Sequence, residues 1–206
     1  MSLVGALTPL GKVARDWKTW FSAVSLYTLS GLGVSAGIGA ALGGLGRLGR
    51  FADVTPIRNG VLLVGAVLAL VLAAREWGLL RFRLPERPLQ TEKIWMHQFG
   101  ALGAATLWGL HLSLGFFTRV NYGGFWLLTL LAFGLGDPVY GALLVGGHWL
   151  GKTLPVWVAP LAYRDPNEAD GLMRIWEGRT SVYARFQGLG LLAAAVVLAA
   201  WLLGRG

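Results

Sequence analysis

Five side chains of this sequence pair a reactive type with an unusual setting: His97, His111, His148, Arg119 and Asp137. All lie within or beside long apolar runs. Ionisable groups are costly in hydrocarbon, so the protein must supply polar partners for each. Three chemistries are open to them. His97 and His111 are 14 residues apart, which on one straight helix sets them about 40° apart in azimuth and about 21 Å apart along the axis. Neutral imidazole is a good iron ligand, and a second helix could return His148 to the level of His97. A single bis-histidine haem b held by His97 and His148 is therefore one expectation. A second is a polar site at a helix break, built from Arg119, Asn121, Asp137 and His111, of the kind at which membrane carriers bind solutes. The third is structural: Asp137 stands in Gly-Asp-Pro and would cap a helix starting at Pro138, while the histidines bond across helices.

Other chemistries are missing. No carboxylate lies at helical ligand spacing from a histidine, so no metal site is expected. No nucleophile triad, phosphate-cradling glycine loop or paired acid/base carboxylates can be found, which favours a non-enzymatic protein without a resident cofactor, haem b being the alternative. The chain has no cysteine, so disulfides and thiol redox chemistry fall outside its own means.

The elements that would position these residues are oily helices. Of 206 residues, 55% are hydrophobic and 14% charged, against roughly 25% charged in average soluble domains. Mean hydropathy is +0.58. The composition predicts an all-α, polytopic integral membrane protein forming one domain over 1–206, with about five transmembrane helices, one of them broken. Residues 1–20 read as an interfacial segment, without the apolar core and cleavage site of a signal peptide. Spans are expected at about 21–45, 60–80 and 186–203, with two more inside 96–163. That stretch divides in two ways. Spans at 96–118 and 124–150 leave 153–163 in the interface and put Asp137 near mid-membrane. Alternatively, a broken helix over 97–133 precedes a span over 139–162, which makes Asp137 a cap and buries Arg119.

Charge and small residues set the remaining expectations. The net charge of +8 is concentrated in loops on the side of the N-terminus, at Lys12, Arg15, Lys18, Arg81, Arg83, Arg87, Lys93, Lys152, Arg164, Arg174, Arg179 and Arg185. The bias predicts a multi-pass protein of the cell membrane, N-terminus cytoplasmic and C-terminus outside, and not a nucleic-acid binder. Loop 164–185 offers Glu168, Asp170, Glu177, Arg174 and Arg179 as a solvated face or a surface for a soluble partner. Gly33/Gly37 and Gly39/Gly43 have the small-xxx-small spacing that lets helix backbones approach, either within the chain or across an oligomer interface. Trp17, Trp20, Trp77, Trp95, Trp149, Trp157 and Trp201 read as an interfacial belt.

Residues 98–158 carry a resemblance. Gln98-Phe99-Gly100 opens a glycine-rich apolar helix, Gly115-Phe116-Phe117-Thr118 leads into a break, and Gly141-Ala142-Leu143-Leu144 and Leu150-Gly151-Lys152-Thr153-Leu154-Pro155 follow. In this order the stretch resembles the membrane domain of the cytochrome c biogenesis and DsbD-type thiol carriers, within the LysE-like transporter superfamily. The resemblance implies broken, glycine-rich spans and a transporter-like protein or complex subunit. Those carriers place a Pro-Cys pair at the break, where this chain has Thr118-Arg119-Val120-Asn121, so the fold would carry over without the thiol activity. An electron-transfer subunit associated with haem b or quinone, and a structural or assembly subunit, are the alternatives.

Overall fold

The computed structural model describes residues 17–50, 53–84, 95–114, 123–162 and 180–204. These residues form six α-helices and no strand: α1 (Trp17–Leu48), α2 (Thr55–Glu76), α3 (Trp95–Ser113), α4 (Gly124–Gly134), α5 (Pro138–Ala162) and α6 (Thr180–Leu203). The all-helical class is as the sequence predicts. Three helical stretches, Lys18–Leu48, Thr55–Glu76 and Val182–Leu203, are long and apolar enough to cross a membrane.

The helices form two packed groups. In the first, α1, α3 and α5 enclose Trp20, Val24, Tyr27, Ala104, Ala105, Trp108, Trp149 and Val156. In the second, α2, α4 and α6 enclose Leu62, Ala69, Leu72, Leu127, Leu131, Leu191 and Leu198. Helix α4 also packs on α1 and α5 and so joins the groups. Much of the outer surface is apolar, with Leu63, Val64, Val67 and Leu70 of α2 and Val196 and Val197 of α6 exposed. Such a surface suits lipid, where no hydrophobic force drives helices together and close van der Waals packing must do so.

The glycines of α1 supply that packing. A Cβ at Gly39 would fall on the carbonyl of Gly141, one at Gly43 on the carbonyl of Asp137, and one at Gly46 on the carbonyl of Phe133. Further along the antiparallel pair, Gly31 lies under the Trp149 indole, and Trp149 Nε1 donates to the Thr28 carbonyl at 2.9 Å. Gly39 and Gly43 therefore serve the intramolecular use of the motif. Gly33 and Gly37 face open space.

Helix α4 and helix α5 form a hairpin. Phe125 and His148 lie 10 and 11 residues from opposite ends of the turn at 135–137, yet their ring centroids are 5.9 Å apart. Gly136 has φ 60°, the left-handed conformation that glycine adopts without a Cβ penalty. The continuous span 124–150 is thus replaced by two antiparallel helices, because Gly134-Leu135-Gly136-Asp137-Pro138 breaks it. The alternative division places the helix start at Pro138 as observed, but its broken helix over 97–133 resolves into separate helices α3 and α4.

Neither division foresees the reversal inside α3. Gly100 has φ 67° and ψ −174°. Trp95 and His111 would sit about 24 Å apart on a straight helix, yet their ring centroids are 5.7 Å apart. Residues 95–99 therefore fold back along the arm that follows, with Phe99 directly over Gly103. The interfacial belt also needs correction. Trp20 and Trp149 are core residues of the first group, and Trp157 packs against them, whereas Trp77 and Trp201 are exposed. A tryptophan near a span end looks the same in sequence whether it faces headgroups or a neighbouring helix.

The glycine contacts set a contrast between positions. Gly39→Val or Gly43→Val forces α1 and α5 apart and should cost about 3 kcal/mol or more. Gly37→Ala meets nothing and should stabilise α1 by about 0.5–1 kcal/mol. Thermal unfolding midpoints of the three variants in detergent check the ordering.

Candidate functional site

Of the polar residues singled out from sequence, Asp137 and the three histidines lie among the described residues. Arg119 and Asn121 lie outside them, so the four-residue site at a helix break is represented by Asp137 and His111 alone. Asp137 is at the α4–α5 tip, where its Oδ1 accepts from Val139 N at 2.7 Å and Tyr140 N at 2.9 Å. That is N-cap geometry: the carboxylate meets two amides that have no partner within the helix, at its positive end. The capping role follows from the Asp-Pro order, since proline suits the first helical position and the preceding residue takes the cap.

The histidines occupy three different settings. His97 is exposed on the short returning arm of α3. Because Gly100 reverses the chain between them, His97 and His111 do not share a continuous helix face, and the spacing argument for paired ligands on α3 loses its basis. His111 packs edge-on against Trp95, and its Nε2 is buried without a hydrogen-bond partner. His148 is half-buried on α5 against Phe125 of α4. No group of three or more His, Asp or Glu able to hold a metal ion occurs among the described residues.

Lys152, which the sequence places among the basic residues of the inner side, is half-buried beside the first helix group. Its Nζ donates to the carbonyl of Leu112 at 3.5 Å and stands 5.6 Å from the Trp149 ring centroid. Leu112 lies in the last turn of α3, where unpaired carbonyls give the helix end a partial negative charge. Hydroxyls in the same group are spent locally. Ser113 donates to Leu110, Thr153 to Leu150 and Thr106 to Leu102, each bonding its own helix backbone. Ser30 and Ser35 bond across, to the carbonyls of Thr106 at 3.1 Å and Ser113 at 3.5 Å.

Glu76 is a residue that the sequence reading passed over. It ends α2, and its side chain is only 4% exposed. Its Oε1 takes Arg75 at 2.8 Å and the amide of Gly123 at 3.0 Å, capping α4 from another helix. Arg75 in turn donates to the Phe82 carbonyl at 3.1 Å and lies over the Phe82 ring. The available signal was an acid closing an apolar run directly after an arginine. It was unreadable because Gly123 lies 47 residues further along the chain.

Comparison with known proteins finds relatives along most of the chain. Methylamine utilization protein MauF of Paracoccus versutus is 30% identical over 197 residues, covering 94% of this chain and 68% of its own. MauF of Paracoccus denitrificans is 29% identical over 166 residues, covering 80% of this chain and 58% of its own. MauF of Methylophilus methylotrophus is 28% identical over 189 residues, covering 92% and 64%. The chain spans about two thirds of the length of these relatives or less. No family model and no solved structure matches it. These relatives overturn the expected kinship with the cytochrome c biogenesis and DsbD-type thiol carriers. That resemblance rested on glycines and small apolar residues, which any closely packed membrane helix needs. Transport, an expectation tied to it, finds no support in relatives named for methylamine utilization.

The two carboxylates predict a graded response. Asp137→Ala should lower stability by about 1 kcal/mol, and Asp137→Asn by little, since asparagine caps comparably. Glu76→Ala leaves Arg75 and Gly123 N without their shared acceptor and should cost about 2–3 kcal/mol. Denaturant or thermal unfolding in one detergent ranks the three.

Proposed function

The chain belongs to the MauF family, and on that premise we propose that it serves methylamine utilization as a non-enzymatic accessory protein embedded in the cell membrane, a subunit of a larger complex. The relatives' shared name, set beside three helices able to cross a membrane, carries the reading. One further feature supports it: Asp137 and Glu76 are each engaged with a helix N-terminus, as structural carboxylates are.

In this reading 1–206 forms a single membrane domain with its N-terminus in the cytoplasm, as the distribution of lysine and arginine favours. Loop 164–185 is the surface offered to a soluble partner on that side. The exposed Gly33 and Gly37 are left for contact with another helix.

A growth experiment tests the proposal. Deleting the gene in a methylamine-using host should abolish growth on methylamine as sole carbon source and leave growth on succinate unchanged. A plasmid copy should restore it, and the protein should fractionate with membranes. Unimpaired growth of the deletion strain on methylamine would refute the reading.

A further inference from the structure

We infer that the α1/α3/α5 group holds an anionic acceptor, a phosphate or carboxylate, with Lys152 as its charge partner and His111 and Trp108 as neutral donors. The argument starts from what these groups lack. An ammonium carries three donors and no acceptor, and an indole carries one donor and no acceptor. Lys152 makes a single long bond, 3.5 Å to the Leu112 carbonyl. The ion pairs of the described residues are Arg50 with Asp53 and Arg75 with Glu76, and neither includes Lys152. Trp108 is 3% exposed, and its Nε1 has no partner. The Nε2 of His111 is likewise buried and unpartnered.

These vacancies belong to one helix group. Trp108 and His111 are three residues apart and share a face of α3. Trp108 belongs to the same core cluster as Trp149, the indole beside Lys152, and Trp95, the ring against His111, packs on that cluster. Tyr27 packs on Trp149 in a tilted arrangement with centroids 5.3 Å apart, and its hydroxyl also lacks a partner.

Buried polar groups are almost always satisfied, and the half-buried Lys152 has no counter-charge among the described residues. The His111 imidazole and the Tyr27 hydroxyl can donate or accept, but the Lys152 ammonium and the Trp108 indole can only donate, so a ligand that answers all four is an acceptor, and a negatively charged one also answers Lys152. A compact oxyanion would make charge-assisted bonds to Lys152. Two sources share this chemistry: the headgroup of an anionic phospholipid entering between helices, and a soluble anion.

The test uses the full chain purified in a zwitterionic detergent, with unfolding followed by tryptophan fluorescence. Phosphatidylglycerol is compared with phosphatidylcholine, and sodium phosphate and sodium acetate with sodium chloride at equal ionic strength. An anion should raise the unfolding midpoint in a saturable way. Lys152→Met, which conserves volume and should fold, should raise the half-saturating concentration about tenfold or more, and Trp108→Phe about several-fold. Arg47→Gln, at an exposed site, should respond as the parent does. A response to phosphatidylglycerol alone assigns the acceptor to lipid, and a response to phosphate or acetate assigns it to a soluble anion. The inference is overturned if no anion shifts the midpoint, if Lys152→Met responds like the parent, or if Arg47→Gln loses the response as fully as Lys152→Met.

Discussion

The fold depends on backbone-to-backbone contact between α1 and the start of α5. Gly39, Gly43 and Gly46 leave no side chain between α1 and the carbonyls of Gly141, Asp137 and Phe133. In water such a seam would be one contribution among several. Between helices in lipid it is the main one, because the apolar surfaces outside it gain nothing by leaving hydrocarbon for each other. Everything nearby is registered by it. It fixes the α4–α5 tip and brings Trp149 over Gly31, with its indole N–H on Thr28. It also sets the depth at which Lys152 meets the end of α3.

The tip shows how a backbone break in an apolar protein is made tolerable. Turning the chain at 135–137 exposes the first amides of α5, which have no intrahelical partner. Asp137 supplies acceptors for two of them. At the far end of α4 the same need is met from a different helix, by Glu76. One short helix is thus held at its start by a carboxylate borrowed from α2 and at its end by a turn pressed against α1. Since α4 touches both helix groups, these attachments couple one half of the protein to the other.

What sequence made legible was whatever is local. The Gly-Asp-Pro order contains the cap, and the four-residue spacing of glycines contains the close contact, because both are settled within a few residues of chain. Which glycines would be used inside the molecule was not legible, since Gly33/Gly37 and Gly39/Gly43 have the same spacing and differ only in what faces them. The reversal at Gly100 was hidden for a similar reason. A glycine in an apolar run is compatible with a continuous helix, and only the meeting of Trp95 with His111 shows the turn. Glu76 was invisible because its partner is distant in sequence. The thiol-carrier resemblance failed through the same small residues: they report that helices pack closely, and not what the packed helices do.

The two helix groups differ in the make-up of their cores. The α2/α4/α6 core is built of leucine and alanine. The α1/α3/α5 core carries tryptophan, tyrosine, serine and threonine, with Lys152 and His111 at its margin. An aliphatic core can be assembled from any residues of suitable volume. A core of amphipathic aromatics commits each indole and hydroxyl to a partner, and every missing partner costs stability. Trp149 and Trp157 find theirs on Thr28, while Trp108 and Tyr27 do not. At Tyr27, phenylalanine would keep the ring and leave no hydroxyl unmet. The polar ends of Trp108 and Tyr27 set the aromatic core of the first group apart from the leucine and alanine core of the second.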